Sequence, residues 1–537
     1  MTETFQTLVL MMAVLAAVAF AARRLHVAPS ILLVIAGVGL ALVPGLPAVE
    51  LAPEVVLLLI LPPLIYSAGV SMSWREFRAN LRPIGLLAFG AVVFTATAIA
   101  TAMHYILGWS WPVGFVLGAI VAPPDIVAPL AIARRLGMPH RVLVILEGEG
   151  LANDATALIL YRFAIVAVTT GAFSLPQAAG TFAMIVVGEI AFGIGVGWLS
   201  LRLRRWAHDP RVEITLSLLT PYLAYWVPEH VGGSGVLATV ACGLYVSWRG
   251  PLLISAATRL QGIFFWDLFV YLIEGLVFLV TGLQARAIIE GAHYFSYKEL
   301  AIATLLTAVI VIAARFIWVF PATYVPRWIP QIGRRDPAPR WQYPFIIGFT
   351  GVRGVVSLAA ALAIPFATFN GPFPNRQLIQ FITFGVILIT LVGIGSILPH
   401  VVRWLGLANQ ARDENLKEHE AELRARRLTA ELARKRLDEI ANDRNLPGDH
   451  LDLIRARYDS RLALLPRSHH DGIELARMRA DLRMALIQEE RKLIHDLLRK
   501  GEINDESRRR IERDLDLEEA AFRTRTGGGE SDESIPL

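Results

Sequence analysis

The chain has 537 residues, enough for three or four soluble domains, but 55% of them are hydrophobic and the mean hydropathy is +0.51. This composition excludes an ordinary soluble protein and indicates a membrane protein. Charged residues are concentrated after Ala408: 55 of the last 129 residues are charged, but only 42 of the first 408. The first 408 residues have a net charge of +8 and the last 129 have a net charge of −3. The basic excess therefore belongs to the membrane half and does not indicate a tail that binds nucleic acid.

The first predicted element is an apolar stretch between Glu3 and Arg23-Arg24. This order of charges is the reverse of a secretory signal and predicts a retained first span. Apolar windows of about 20 residues, the length that crosses a bilayer, recur thirteen times between Thr7 and Leu405. Their centres are Leu15, Ala36, Leu61, Phe94, Val121, Ala155, Ile190, Thr220, Val240, Ile273, Val309, Val356 and Ile389. The sequence therefore predicts an all-α polytopic membrane protein.

The loops between these spans differ strongly in basic residues. With alternate loops assigned to the cytoplasm, starting after the first span, the inside loops hold eighteen arginines and the outside loops hold only Arg286, Lys298 and Arg376. This bias predicts an outside amino terminus and a cytoplasmic tail in the cell inner membrane. The single cysteine, Cys242, lies in an apolar stretch and excludes intrachain disulfides and Cys-based zinc sites.

The fifth and twelfth spans are predicted to be broken near their middles. Two prolines precede Asp125 in Val121-Ala122-Pro123-Pro124-Asp125, and three glycines surround Arg353 in the segment from Gly348 to Gly354. Prolines remove backbone donors and glycines weaken a helix. Because these spans are seven apart and run in opposite directions, they fit two inverted six-helix repeats of a transporter.

Three ionisable residues on three spans are predicted to lie at one depth. Counting about 1.5 Å per helical residue from Arg141 places Asp154 about 20 Å into the bilayer, and Asp125 and Arg353 reach a similar level. A midplane carboxylate can accept either a proton or a small cation, and this competition is the minimum chemistry of antiport. The alternative for Asp154 is a permanently protonated contact between helices.

The same counting places Glu149 and Arg315 at nearly one level, about 12 Å and 25 Å from opposite sides. For Arg162 the favoured interpretation is a side chain that reaches the outer headgroups. Glu189 is expected either to line a domain interface or to hydrogen-bond within one. Asp267 and Glu274 are interpreted as interhelical polar contacts rather than ion ligands.

Several motifs occur in one order along residues 9–405. They are Leu61-Pro62-Pro63-Leu64, Ala122-Pro123-Pro124-Asp125, Glu147-Gly148-Glu149-Gly150-Leu151-Ala152-Asn153-Asp154-Ala155, Arg315-Phe316-Ile317 and Gly351-Val352-Arg353-Gly354-Val355-Val356-Ser357. Together they resemble the bacterial sodium/proton antiporters of the monovalent cation:proton antiporter-1 family, relatives of animal sodium/proton exchangers. The resemblance implies thirteen spans, a homodimer in membrane lipid, and elevator-like exchange of Na⁺, Li⁺ or K⁺ for H⁺ without a cofactor or enzymatic activity.

Carried over by position, the resemblance implies that Asp154 binds the ion and the proton, that Asn153 is its neighbour, and that Asp125 is the acid where the broken helices cross. The further roles it implies are a core ion pair of Glu149 with Arg315, and charge balance at the second break by Arg353.

Three positions depart from the family pattern. Gly150 replaces a serine one turn before Asp154, Pro124 replaces a threonine before Asp125, and Tyr66-Ser67 stands where many members have an acid. Backbone carbonyls at Pro124 and Gly150, or the hydroxyl of Ser67, are therefore candidate secondary ligands. Because side-chain oxygens are lost, the choice between Na⁺ and K⁺ stays open. A non-transporting membrane sensor is the alternative from another class.

Exchange of one cation for one proton is predicted, because Asn153 cannot ionise and Arg315 stays protonated. The tail, residues 409–525, is predicted to be helical over Glu414–Ile440, around His450–Leu465, and over Asp471–Lys500 and Asp505–Phe522. Interleaved charges favour a solvated regulatory or dimerisation bundle over a ligand sensor. Residues 526–537 are predicted to be disordered.

Overall fold

The computed structural model describes residues 2–25, 27–44, 52–171, 174–369, 371–444, 448–463, 469–500 and 502–525. The chain divides into two compact units, Met1–Ala411 and Arg412–Leu537. The predicted disorder of 526–537 and the predicted helix break at Leu446-Pro447 lie outside the described residues.

The first unit is built almost wholly from helices. In chain order these are α1 (Thr2–Leu25), α2 (Pro29–Ala41), α3 (Leu61–Ser71), α4 (Trp74–Ala79), α5 (Leu81–Gly85), α6 (Val92–Leu107), α7 (Trp111–Val121), α8 (Val127–Arg135), α9 (His140–Thr170), α10 (Leu175–Ala207), α11 (Pro210–His230), α12 (Val236–Leu253), α13 (Ala256–Leu283), α14 (Ala285–Gly291), α15 (Tyr297–Tyr324), α16 (Pro330–Arg335), α17 (Gln342–Phe349), α18 (Val355–Leu362), α19 (Arg376–Leu388) and α20 (Gly395–Trp404). Three π-helical segments, Val55–Ile60, Leu86–Ala91 and Ile389–Ile394, continue into α3, α6 and α20, and Val325–Trp328 is a 3₁₀ turn. A short antiparallel pair, β1 (Ala367–Thr368) with β2 (Gly371–Pro372), is an addition to the predicted all-α architecture.

Eight of the described helical stretches are long and apolar enough to cross a membrane. They are Gln6–Leu25, Leu81–Leu107, His140–Thr170, Pro176–Ala207, Val236–Leu253, Ala256–Gly291, Tyr297–Trp328 and Arg376–Trp404. All thirteen predicted span centres fall in helical residues, several of them in shorter or broken helices. The prediction of a helical multi-pass membrane protein is confirmed, and the count of thirteen spans stays a prediction.

The helices of the first unit form two packed sets. The scaffold group comprises α1–α3 and α10–α13, in which α2 packs on α13, and α12 packs on α3, α10 and α11. The site group comprises α5–α9, α15 and α17–α20, in which α7 packs on α6 and α9, and α15 packs on α6, α17 and α19.

Within each group, glycines bring helix backbones into direct contact. The scaffold contacts are Gly37 with Gly282, Gly69 with Gly243, and Gly193 with Ala238, and the site-group contacts are Gly114 with Ala100 and Gly118 with Ala96. A side chain at any of these glycines except Gly69 and Gly243 would collide with main-chain atoms of the neighbouring helix, and at those two positions it would fit only tightly. Small residues are the usual means by which membrane helices pack closely, because lipid supplies no hydrophobic force between them.

The second unit consists of helical hairpins joined by surface ion pairs. Its helices are α21 (Leu407–Arg444), which begins in the first unit, α22 (Gly448–Ala463), α23 (His469–Arg499) and α24 (Asp505–Arg525). Arg455 pairs with Asp438 across α21 and α22 at 2.8 Å. Arg483 pairs with Glu518 across α23 and α24 at 2.7 Å. Arg434 also pairs with Asp459, and Arg491 with Asp516, so in each hairpin residues later in one helix pair with residues earlier in the other and the two helices are antiparallel.

Candidate functional site

Two helix breaks cross inside the site group. The first lies between α7, which ends at Val121, and α8, which begins at Val127; the second lies between α17 and α18, over residues 350–354. The amide of Asp125 donates to the carbonyl of Val352 at 2.7 Å, so the two non-helical segments are joined through their backbones. The bond satisfies one donor and one acceptor that the breaks would otherwise leave unpaired in an apolar interior.

Arginine side chains cap the carboxyl ends of the two half-helices that enter the crossing. Arg353 donates from Nε to Val121 O at 2.8 Å and from Nη2 to Ala122 O at 3.1 Å, at the end of α7. Arg315 donates from Nε to Ile347 O at 3.0 Å, in the last turn of α17. Both side chains are buried, with 1% and 3% of Arg353 and Arg315 exposed. Each cation therefore lies at the negative end of a helix dipole and satisfies carbonyls that have no intrahelical partner.

Asp125 lies at the opposite, positive ends of the half-helices. Its Oδ1 accepts from the amide of Val127, the first residue of α8, at 2.9 Å. A Cβ built on Gly354, the residue that precedes α18, would overlap the Asp125 carboxylate, so this carboxylate also borders the start of α18. The negative charge of one acidic side chain thus lies at the amino ends of two half-helices, where the positive ends of the helix dipoles favour it.

Glu149 and Arg315 form a buried bidentate ion pair. Arg315 Nη1 lies 2.5 Å from Glu149 Oε1, and Nη2 lies 2.8 Å from Oε2. The Glu149 side chain is fully buried. Since Arg315 also holds the end of α17, this pair ties the second helix break to α9.

Asn153 is placed by the first break and keeps one oxygen free. Its Nδ2 donates to the carbonyl of Pro124 at 2.8 Å, which fixes the orientation of the amide. Its Oδ1 is buried and has no hydrogen-bond partner among the described residues. A buried acceptor without a partner is costly unless a ligand, water or ion meets it.

Asp154 differs from the other acids of the crossing. Like Asp125 it is partly exposed, whereas Glu149 on the same helix is buried. No hydrogen bond to the Asp154 carboxylate is found within the described part of the chain. Asp125 and Glu149 are engaged by backbone and arginine donors, so Asp154 is the carboxylate of this crossing that remains available to a cation or a proton.

The space of the absent hydroxyl at position 150 is occupied. A Cβ on Gly150 would overlap the side chain of Ile126, which lies in the first helix break. Glycine at this position therefore permits close approach of the break to α9. Pro124 presents its carbonyl to Asn153, and a carbonyl oxygen retains a second lone pair for a ligand. Ser67 lies on α3 in the scaffold group, and no hydrogen bond joins it to the crossing in the residues described.

The oxygens at the crossing suit a small cation carried as cargo. Carboxylate, amide and carbonyl oxygens are the ligands that hard cations prefer. No group of three or more His, Cys, Asp or Glu side chains that could hold a metal occurs among the described residues.

Two acidic or basic residues outside the crossing acquire specific partners. Glu189, buried on α10, accepts from the amide of Ser234 at 2.5 Å and of Gly235 at 3.3 Å, so it caps the start of α12. Arg162 forms an ion pair with Glu229 and donates to the carbonyl of Gly233. The interpretation of Arg162 as a side chain reaching for headgroups is therefore wrong. Its partner lies 67 residues along the chain, beyond the reach of depth counting.

Comparison with models of protein families identifies the family to which the chain belongs. Residues 10–404 match the family of transmembrane sodium/hydrogen exchangers. The chain belongs to the sodium/hydrogen exchanger family. An uncharacterised Na⁺/H⁺ exchanger of Mycobacterium tuberculosis is 34% identical over 509 residues, which cover 93% of this chain and 92% of the relative.

Two further relatives extend the comparison of this exchanger family member. A sodium, potassium, lithium and rubidium/H⁺ antiporter of Bacillus pumilus is 33% identical over 65% of this chain and 54% of its own length. The structure of a sodium proton antiporter from Methanocaldococcus jannaschii matches with a TM-score of 0.61 at 19% identity, over 75% of this chain and 98% of that one. The last comparison establishes the shared fold.

Proposed function

We propose that this protein exchanges Na⁺ or a related monovalent cation for H⁺, with Asp154 as the group that both ligands occupy in turn. The observation that carries the proposal is that, among the described residues, neither the Asp154 carboxylate nor the buried Oδ1 of the preceding residue, Asn153, has a hydrogen-bond partner. A carboxylate bound to either a proton or a cation is neutral, and a neutral site crosses an apolar barrier at lower cost than a charged one.

Alternating access is the expected mode of this exchange. The two crossed breaks, on helices seven spans apart, support inverted repeats with the site at their interface. We further propose thirteen spans in the cytoplasmic membrane, an outside amino terminus, a cytoplasmic tail and a homodimer. The distribution of arginines among the loops supports the orientation.

The identity of the cation depends on how many oxygens the site supplies. Asp154, Asn153 and the Pro124 carbonyl contribute three kinds of oxygen, and Ile126 fills the space where a hydroxyl at position 150 would lie. Water must complete the shell of a bound Na⁺. A site with fewer fixed ligands also suits K⁺, which supports K⁺/H⁺ exchange as the second candidate.

The decisive experiment measures proton movement in proteoliposomes on addition of Na⁺, K⁺ or Li⁺ separately. Asp154→Asn should abolish cation-dependent proton flux in a folded protein, because the amide cannot alternate between protonated and cation-bound states. Asp267→Asn makes the same change on α13, outside the crossing, and should retain flux. Flux near the wild-type rate in Asp154→Asn contradicts the assignment.

Exchange should be electroneutral. Asn153 cannot ionise, and Arg315 is locked to Glu149, which leaves Asp154 to carry one ligand in each direction. A potential of 100 mV, worth about 2.3 kcal/mol per elementary charge, should then neither drive nor oppose exchange. Potential is set with K⁺ and valinomycin, and currents are recorded on a solid-supported membrane. A sustained transport current would mean that a second group also binds and releases a proton during exchange, and Asp125 is the first candidate.

A further inference from the structure

A second cluster of charges lies at one end of the site group, away from the helix crossing. Asp336, between α16 and α17, accepts hydrogen bonds from three arginines that come from three other parts of the chain. Arg141 Nη2 lies 2.8 Å and Arg327 Nη2 lies 2.7 Å from the carboxylate, and Arg82 forms a third ion pair. We call Arg82, Arg141 and Arg327 the arginine rim. Three cations against one anion leave this cluster with two net positive charges.

The rim has donors that Asp336 does not satisfy. Arg82 Nε is buried and has no hydrogen-bond partner within the described residues. Burial tends to raise the pKa of Asp336, but the hydrogen bond from Arg141 and the charges of the rim outweigh it and lower the pKa. Asp336 is therefore ionised throughout the physiological range, and one carboxylate is the most it can offer. The excess positive charge calls for a further anion.

An apolar cavity opens directly behind the rim. It is partly open and includes all three rim arginines in its lining. Its apolar walls are formed by Leu86, Leu87, Val142, Ile145, Val319 and Ile347. A lining that combines cationic donors with hydrocarbon side chains matches a molecule with an anionic head and an apolar body. A free inorganic anion would use only the cationic donors.

The position of the cavity agrees with such a molecule. Arg82 lies in α5 and Arg141 in the first turn of α9, where each chain segment enters an apolar stretch, and Arg327 follows α15 where that stretch ends. The rim is thus at the level of lipid headgroups, on the side that the arginine bias assigns to the cytoplasm. Anionic phospholipids are enriched on that surface and attract basic clusters.

We propose that the arginine rim and the cavity behind it bind one anionic phospholipid, with the phosphate on Arg82 and Arg141 and the start of the acyl region along the apolar walls. Guanidinium groups bind phosphate oxygens in a bidentate manner, and Arg327 remains committed to Asp336 and to the backbone of α15. The site is separate from the ion-binding crossing and does not depend on the proposed exchange. It adjoins the crossing through Ile347, whose carbonyl holds Arg315.

The test measures lipid binding to the purified, delipidated full chain by native mass spectrometry, with thermal unfolding as a second readout. The probes are phosphatidylglycerol, phosphatidylcholine and inorganic phosphate. Phosphatidylglycerol should bind at least about tenfold more tightly than phosphatidylcholine, because both carry a phosphodiester but the excess positive charge of the rim repels the choline ammonium of phosphatidylcholine. Equal binding of the two lipids overturns the site, and phosphate that binds as tightly as phosphatidylglycerol overturns the lipid assignment in favour of a soluble anion.

Two variants with opposite expected effects on lipid affinity distinguish a lipid site from a cluster of ion pairs that only stabilises the fold. Arg82→Gln should weaken phosphatidylglycerol binding about tenfold, and Arg135→Gln, which removes an exposed arginine on the same side, should not. Asp336→Asn removes the competing anion and should strengthen binding. A mere ion-pair cluster predicts that Arg82→Gln and Asp336→Asn both lower thermal stability and neither changes lipid affinity.

A third variant covers the case in which charge changes impair folding. Ala322 lines the cavity on α15. Ala322→Phe should fill the cavity, leave the arginine rim intact and reduce phosphatidylglycerol binding by about tenfold. Unchanged lipid affinity in a folded Ala322→Phe protein shows that the acyl region does not enter the cavity and overturns the proposal.

Discussion

Arg315 and Arg353 are buried in the interior of a membrane unit, and each has a separate set of acceptors. Arg315 is shared between the Glu149 carboxylate and the carbonyl of Ile347, whereas Arg353 binds carbonyls at the end of α7. Removal of a partner from a buried pair leaves an uncompensated charge, which is far more costly than the net gain of the pair. Removing one member of a buried pair should therefore lower the free energy of unfolding far more than removing one member of an exposed pair.

Glu149→Ala should lower the free energy of unfolding in detergent by about 3 to 5 kcal/mol, because it leaves Arg315 buried without its carboxylate. Glu147→Ala is the matched control on the same helix: Glu147 pairs with Arg134, whose side chain is 58% exposed, and its loss should cost about 1 kcal/mol or less. Melting curves of both variants decide the matter.

The double variant Glu149→Ala/Arg315→Ala extends this test. It should lose less stability than the sum of the two single changes, since it removes the stranded charge as well. Additive losses would mean that the two side chains act independently, and full stability of both single variants would show that the pair does not stabilise the fold.

For individual residues, the sequence predicts the depth of a side chain in the membrane more readily than the groups with which it forms hydrogen bonds. Counting helical rises predicts one level for Glu149 and Arg315, and in the structure they form two hydrogen bonds. The same counting gives the depth of Arg353 but not its bonds to Val121 and Ala122, because these depend on how two broken helices are oriented. The free Oδ1 of Asn153 likewise follows from an amide orientation that only tertiary structure fixes.

The two broken elements owe their breaks to different local chemistry. In the first, consecutive prolines remove backbone donors; in the second, glycines remove side chains where another group must approach. Sequence reasoning predicts both breaks from these residues. It cannot predict that Asp125 fits against Gly354, because that contact joins segments more than 200 residues apart.

Gly354→Ala should impair exchange by about tenfold or more, because its methyl group would displace the Asp125 carboxylate and small displacements at a reacting site have large effects on rate. Gly393→Ala is the control, since a Cβ at Gly393 would meet nothing within 4 Å. Rates are compared in proteoliposomes after both proteins are shown to be folded. Equal, wild-type rates would mean that the crossing tolerates a shift of Asp125.

For the whole molecule, composition predicts a boundary after Ala408, and the packing of the structure divides the chain after Ala411. The long helix α21 spans this point, which is why a boundary read from charge alone falls a few residues early. The role of the tail stays a proposal: we infer that it regulates exchange or supports dimerisation, since its described hairpins are held by surface ion pairs and supply no group suited to ion transport.

Deletion of residues 409–537 should leave a membrane-inserted protein that still exchanges cations for protons, with an altered rate or pH dependence. The reason is that all residues of the helix crossing belong to the first unit. Proton flux across a range of pH values, compared with that of the full chain, measures the effect. Complete loss of exchange in a normally folded truncation would make the tail an essential part.

The glycine contacts described for the fold also bear on where the scaffold group and the site group could slide against each other. Backbone lies against backbone between α2 and α13, α3 and α12, and α10 and α12, and again between α6 and α7, but at none of the described glycines does the backbone of the scaffold group touch that of the site group. Helices joined by main-chain contacts pack more closely than helices that meet only through side chains. We therefore propose that movement during exchange occurs along the seam between the two groups, with the crossed helices moving as one piece.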